Sequence, residues 1–191
     1  MTHQLASLVP IIEDQKGSKI EGILIVSCVN EQKFILYWQK LGNTASRYVN
    51  CIFMKPPENA QNDFSPGNPF VVDCQEVEKI SLTESDENSI IITLRLRNSK
   101  QAPRVFTIDA SKYIIKIVDF FYEILSKGIA VPSHTEDDPY SFSFYEKTSP
   151  NVYRSTPPHI QIETHEYKDL DSLWGDINDF FQDLVTSLDE S

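Results

Sequence analysis

Side chains suited to catalysis or metal binding are few in this sequence, and they form no recognisable constellation. The histidines all lie outside the predicted core, and the last two lack the spacing of a helical metal site: His3, His134, His159 and His165. The three cysteines fall in or beside predicted strands, where a small buried residue is commoner than a nucleophile: Cys28, Cys51 and Cys74. No G-x-x-x-x-G-K phosphate-binding loop occurs. We therefore predict no catalytic residue, no metal site and no cofactor.

A basic cluster around a predicted polar turn could contact anionic groups, and it consists of Arg95, Arg97, Lys100 and Arg104. Phosphate recognition needs several converging Lys or Arg side chains, so that charge-assisted hydrogen bonds replace solvent. The first predicted hairpin is formed by Gly22–Val29 and Lys33–Trp38. It does not meet this need, because the position two residues after Lys33, where a second basic residue would be required, is occupied by Ile35. The cluster is interpreted either as an anion contact or as a sheet edge protected by charge.

An apolar stripe near the C-terminus is the second candidate site. From Asp169 onward apolar residues recur at helical spacing, whereas the opposite face is almost wholly acidic. Such a stripe needs a partner surface, which is its own domain, a second copy or a basic groove on another protein. Like-charged flanks disfavour the second copy. If another protein is the partner, the predicted anchors are Trp174, Ile177 and Phe181.

The charge of the chain excludes some partners. The 191 residues carry a formal net charge of −11, of which residues 131–191 contribute −10. This excess repels nucleic-acid backbones and anionic lipid, so no nucleic acid is expected as a partner and contact with membranes is at most peripheral. No apolar run reaches the roughly 20 residues that span a bilayer, and the N-terminus does not resemble a secretion signal. We predict a cytoplasmic protein, with recruitment to endomembranes left open.

Alternating apolar residues predict about seven short strands between Lys19 and Ile108. The clearest strand is Ser89–Arg97, in which alternate residues from Ile90 face one side, and Tyr48–Met54 is a further predicted strand that is rich in β-forming residues. Lys55–Asn68 is polar and proline-rich, and it predicts a long loop. After Asp109 the period becomes helical as far as Gly128, where a C-terminal stop is expected.

The predicted organisation has four parts. Residues 1–18 form an N-terminal arm, residues 19–130 form the domain, residues 131–168 form a proline-rich linker and residues 169–190 form the acidic helix. Strands followed by one amphipathic helix predict an α+β domain. We expect an antiparallel pleckstrin-homology-like barrel of about seven strands, with the helix closing its open end. The alternative is an unrelated α+β domain whose helix lies flat on one face of the sheet.

Several segments resemble one family when they are read in order. Ile20–Val26 and Ile35–Leu41 are similar to a G-x-L-x-V strand and to a strand that ends in W-x-x-L. Pro69–Leu82 is similar to the strand pair that follows a variable loop. Ile90–Asp109 resembles a strand, a turn and a second strand with a proline and a phenylalanine, here Pro103 and Phe106, and Leu173–Leu184 resembles a W-x-x-hydrophobic-x-x-F helix. Together they resemble the N-terminal Rab-binding, pleckstrin-like domain of TBC-type Rab GTPase-activating proteins.

The resemblance implies a function that the residues do not establish on their own. It implies a non-catalytic module that recognises a small GTPase of the Rab type, as the regulatory N-terminal region of a TBC-type GTPase-activating protein. The I-x-x-D-x-x-R motif of the family's catalytic domain does not occur in the chain, and the one Y-x-Q match, Tyr37-Trp38-Gln39, lies in a predicted strand of the domain, so no stimulation of GTP hydrolysis is expected. The alternative function is a peripheral membrane adaptor that reads lipid head groups through the basic cluster.

Overall fold

The computed structural model describes residues 3–30, 33–41, 65, 67–86, 88–146 and 169–189. Within these ranges an antiparallel sheet and two helices place the chain in the α+β class, as predicted. The elements are, in chain order, β1 (His3–Leu8), β2 (Ile11–Glu13), β3 (Lys19–Asn30), β4 (Lys33–Lys40), β5 (Phe70–Asp73), β6 (Val77–Asp86), β7 (Ser89–Leu96), β8 (Arg104–Asp109), α1 (Ala110–Ser126), β9 (Ala130–Ser133), β10 (Ser141–Phe144) and α2 (Leu170–Asp189).

Two meanders of three strands form most of the sheet. The first consists of β3, β4 and β5, and the second consists of β6, β7 and β8. Strand β2 joins them, since it pairs with β3 on one side and with β8 on the other. Strand β7 shows the predicted alternation, because Ile90, Ile92 and Leu94 are buried whereas Arg95 is exposed.

The prediction of a closed barrel is wrong, because the sheet is open. Its strands follow the order β5-β4-β3-β2-β8-β7-β6-β10-β9, so β5 and β9 stand at opposite ends. Closure of the predicted seven strands would bring the outer edge of β6 to another strand of the barrel. That edge pairs instead with β10, which in turn pairs with β9. The later hairpin therefore extends the sheet at the place where a barrel would close.

Two segments that were expected to lie outside the domain contribute strands to it. The predicted arm contains β1 and β2, and both Leu8 and Ile12 are buried. The predicted linker contains most of β9 and all of β10, whereas its residues 147–168 lie outside the described residues. Short segments of this kind satisfy their backbone hydrogen bonds by pairing with strands already present. The predicted strand at Tyr48–Met54 and most of the predicted loop at Lys55–Asn68 also lie outside the described residues.

One main hydrophobic core lies between the sheet and both helices. Helix α1 contributes Ile117, Phe121 and Leu125 to it, and α1 contacts β1, β8 and α2. Gly128 has a φ of 62°, and its amide donates to the carbonyl of Leu125. This left-handed residue, two positions after the last residue of the helix, confirms the predicted stop.

Candidate functional site

The residues first considered for catalysis lie in several elements, and of the described ones His3 in β1 and Cys28 in β3 are paired across the sheet. Cys74 is buried, and burial raises the pKa of its thiol, which disfavours the reactive thiolate. His134 is exposed, and its Nδ1 lies 2.8 Å from the carbonyl oxygen of Pro139. His159, His165 and Cys51 fall outside the described residues. Among the residues that are described, no group of three or more His, Cys, Asp or Glu is arranged to hold a metal ion.

The four residues of the basic cluster differ in burial and in their contacts. Arg95 and Lys100 are exposed. Arg97 is half-buried and donates to the carbonyls of Val77 and Phe144, at 3.0 and 2.8 Å. Its guanidinium therefore fastens β10 to the neighbouring strands. The fourth member, Arg104, lies inside the domain.

Arg104 is 2% exposed, so it belongs to the packed interior and not to a surface for anions. Its guanidinium donates to the carbonyls of Ser65 and Asn68, at 2.5 and 2.6 Å. It also lies over the rings of Trp38 and Phe70, with its central carbon 5.5 and 5.3 Å from the ring centroids. The prediction that Arg104 contacts an external anion therefore needs correction, because the side chain is occupied by backbone carbonyls and aromatic rings.

The apolar stripe of α2 packs on its own domain, which was one of the three partners considered. Ile177 has no exposed surface, so it cannot touch another protein while α2 is docked. Trp174 and Phe181 are partly buried and pack against the same core. The remaining buried residues of the stripe are Leu170, Leu173, Phe180 and Leu184.

Aromatic contacts connect α2 with α1 and the last hairpin. Phe180 stacks on Tyr122 of α1, with ring centroids 4.0 Å apart. Trp174 contacts Phe142 of β10 at 5.1 Å, and Phe142 stacks on Phe121 of α1 at 4.1 Å. Aromatic pairs at such distances add stabilisation beyond the area they bury. The docked position of α2 is therefore specific, and it uses residues from two elements that are distant in the sequence.

Polar contacts hold the first turn of α2. The Tyr140 hydroxyl donates to the carboxylate of Asp171. The backbone amide of Leu170 donates to a carboxylate oxygen of Glu84 on β6, at 2.5 Å. Asp169 is the N-cap of α2, because its carboxylate accepts a hydrogen bond from the backbone amide of Ser172 at 2.8 Å. The sequence analysis missed Tyr140 and Glu84, since no local pattern indicates a contact between residues so far apart.

The outer side of α2 is acidic and accessible. Asp171, Asp179 and Asp183 are exposed, and Asp176 is half-exposed. Burial, reinforced by the negative charges of Asp176, Asp119 and Asp179, raises the pKa of Tyr122 to about 12. The hydrogen bond to Asp171 is the main cause that raises the pKa of Tyr140, also to about 12. The surface that α2 presents to solvent is thus negatively charged.

The raised pKa of Tyr122 predicts a loss of stability in alkali. The unfolded chain releases this proton near pH 10, whereas the folded chain keeps it until about pH 12. The contribution of Tyr122 to folding is therefore complete below pH 10 and is lost as the pH rises towards 12. In denaturant unfolding between pH 8 and pH 11.5, the free energy of unfolding should fall more steeply with pH for the unmodified chain than for Tyr122→Phe. Equal slopes for the two proteins would contradict the prediction.

Comparisons with known proteins add no family to this description. No protein-family model matches the chain, and no curated protein matches it. Within the described ranges, no helix is both long enough and apolar enough to cross a bilayer.

Proposed function

We propose that this chain is a non-catalytic binding module that recognises a small GTPase of the Rab type. In this proposal it serves as the regulatory N-terminal region of a TBC-type GTPase-activating protein. The supporting observation is the order of the family-like segments, which fall on successive elements of one domain. The segment with Gly22 lies in β3, the segment with Trp38 lies in β4 and the Trp174 helix is α2.

The pleckstrin-like part of the proposal rests on element order. Two antiparallel meanders are followed directly by an amphipathic helix, as in the domain that the sequence resembles. Strands β1, β2, β9 and β10 are additions to that pattern. We interpret the domain as an elaborated and open relative of the pleckstrin-like arrangement. This interpretation depends on topology, since fold alone does not imply function.

The exposed acidic side of α2 is the surface we assign to the partner. Asp179 and Asp183 are exposed there, whereas Trp174 and Phe181 are partly buried and lie on a different side of the helix. An acidic surface suits a partner with a basic patch, because charge steers association. Trp174 and Phe181 remain the aromatic anchors that we propose for such a partner. Ile177 is not part of this surface while α2 remains docked.

A nucleotide-resolved binding assay tests the proposal. The full chain, immobilised, should bind one or more Rab-type GTPases more strongly when they carry a non-hydrolysable GTP analogue than when they carry GDP. The double variant Asp179→Lys/Asp183→Lys should weaken that binding about tenfold or more, because it reverses the charge of the assigned surface. Glu76→Lys/Glu78→Lys is the matched control, since both residues are exposed near the start of β6 and the net charge change is the same. Absence of binding, or equal binding of both nucleotide forms, would count against the proposal.

The alternative, a membrane adaptor that reads lipid head groups, has less support. Within the predicted anion cluster, Arg97 is engaged by carbonyls and Arg104 is buried, so the exposed members are Arg95 and Lys100. In our proposal any recruitment to endomembranes occurs through the GTPase. We expect the isolated chain not to float with phosphoinositide vesicles at physiological salt. Flotation that increases with anionic lipid and is lost in Arg95→Glu/Lys100→Glu would favour the adaptor.

A further inference from the structure

The contacts around Tyr140 form a small latch at the start of α2. We use the word latch for four residues: Tyr140, Glu84, Asp169 and Asp171. The Tyr140 hydroxyl donates to Asp171, and the edge of the Tyr140 ring lies against Trp174, with centroids 5.9 Å apart. Glu84 receives the first amide of the helix. The latch therefore joins β6, the start of β10 and the first turn of α2.

The latch is accessible from solvent. Tyr140 is half-exposed, and it follows the exposed segment that contains Glu136 and Asp137. By contrast, Tyr37 and Tyr122 are 0% and 4% exposed. An enzyme with a basic substrate groove would find complementary charge directly before Tyr140. Among these three tyrosines, Tyr140 is the one whose hydroxyl can be reached at the cost of a single hydrogen bond.

We propose that Tyr140 is a phosphorylation site and that its modification releases the first turns of α2 from the sheet. The reaction is that of a protein tyrosine kinase with ATP. The phenolic oxygen attacks the γ-phosphorus, the bond from that phosphorus to the bridging oxygen of ADP breaks, and a base of the kinase takes the phenolic proton. The product is phosphotyrosine with ADP as the leaving group.

Electrostatics gives the reason for release. A phosphate brings a charge of about −1.5 to −2 at neutral pH and removes the hydroxyl donor that held Asp171. The new charge would face three carboxylates, those of Asp171, Glu84 and Asp169. The nearby cation Lys79 is engaged, since its Nζ lies 2.5 Å from Asp138. The phosphate would therefore repel Glu84 on β6 as well as Asp171 on α2, and so weaken the contact between these two elements.

Release would change what the domain presents to solvent. Trp174 loses its contact with Tyr140 and Phe142, and the ring of Phe142 becomes accessible. A buried intramolecular face would thus become an exposed apolar one. This inference concerns how α2 is held, and it is independent of the partner that the domain binds.

Hydrogen exchange on the full chain with phosphotyrosine incorporated at position 140 tests the proposal. Amides of the first turns of α2 should exchange about tenfold faster or more than in the unmodified chain, whereas amides of β3 and β4 keep their protection. Unchanged exchange in α2, within about twofold, would overturn the release. Equal loss of protection in β3 and β4 would also overturn it, because that pattern means general unfolding.

Two further variants separate repulsion from loss of a hydrogen bond. Tyr140→Phe removes the donor without adding charge, so its effect on α2 should be clearly smaller than that of the phosphate. An equal effect would overturn the electrostatic explanation. Asp171→Asn in the phosphorylated chain should recover part of the protection, and no recovery would count against the latch.

Kinase treatment tests the site itself. The unmodified chain is incubated with ATP, magnesium and a tyrosine kinase that prefers acidic substrates, and the products are mapped by mass spectrometry. Phosphate should appear at Tyr140 before it appears at Tyr37 or Tyr122. Modification of those buried tyrosines without modification of Tyr140 would overturn the assignment.

Discussion

Replacing Arg104 with methionine is expected to lower the free energy of unfolding by about 3 kcal/mol, although this residue looks like a surface cation in the sequence. Methionine keeps much of the apolar volume, but it removes the guanidinium donors from the carbonyls of Ser65 and Asn68. It also removes the cation from the rings of Trp38 and Phe70. Urea unfolding monitored by circular dichroism measures the change.

Two other substitutions make the Arg104 prediction specific. Arg95→Met is the matched control, because Arg95 is exposed on the adjacent strand and its loss should cost less than about 0.5 kcal/mol. Arg104→Lys should fall between the two, since an ammonium group lacks the fork that serves two carbonyls at once. If Arg104→Met is as stable as Arg95→Met, the interior role assigned to this guanidinium is incorrect.

The second large effect is expected at Gly22, where β3 passes the indole of Trp38. A Cβ atom at this position would lie 2.3 Å from ring atoms Cε2 and Cζ2 of Trp38. Trp38 is 0% exposed, so its ring cannot move aside into solvent. Gly22→Ala should therefore destabilise the domain by about 3 kcal/mol, near the upper end of what overpacking usually costs. Denaturant unfolding again provides the measurement.

Gly175 offers a control of opposite sign. It lies on the exposed side of α2, and an added Cβ meets no atom within 4 Å. Gly175→Ala should stabilise α2 by roughly 0.5–1 kcal/mol, because glycine is a poor helix former. In addition, Trp38→Phe should reduce the cost of Gly22→Ala, since phenylalanine lacks the fused ring that blocks the Cβ. Additive effects of these two substitutions would contradict the proposed clash.

The Gly22 prediction gives a physical meaning to two residues that first served only as points of resemblance. Gly22 and Trp38 are anchors of the family-like pattern, and in the structure they pack against each other inside the domain. The positions of Gly22 and Trp38 in the sequence therefore reflect the packing of β3 against β4, and they do not indicate a binding surface. The function proposed above consequently depends on the order of the segments and on the exposed face of α2.

The sequence predicted local features well. The alternation in β7 and the helical period of α1 with its stop at Gly128 follow from neighbours within a few residues. Periodicity also identified the apolar stripe of α2, and charge counting identified its acidic side. The sequence did not predict that β1, β2, β9 and β10 join the sheet, because strands of three to six residues with prolines nearby carry too little pattern.

What the sequence determined by itself was therefore the α+β class, the two amphipathic helices and the concentration of negative charge in the last third. Only the tertiary structure decided that the sheet stays open, that Arg104 is buried and that α2 turns its apolar side inward. The reason is the distance between partners along the chain. Arg104 reaches carbonyls 36 and 39 residues away, and Leu170 reaches a carboxylate 86 residues away. Contacts between residues so far apart in the sequence produce no local periodic pattern, so they can be identified only from the folded structure.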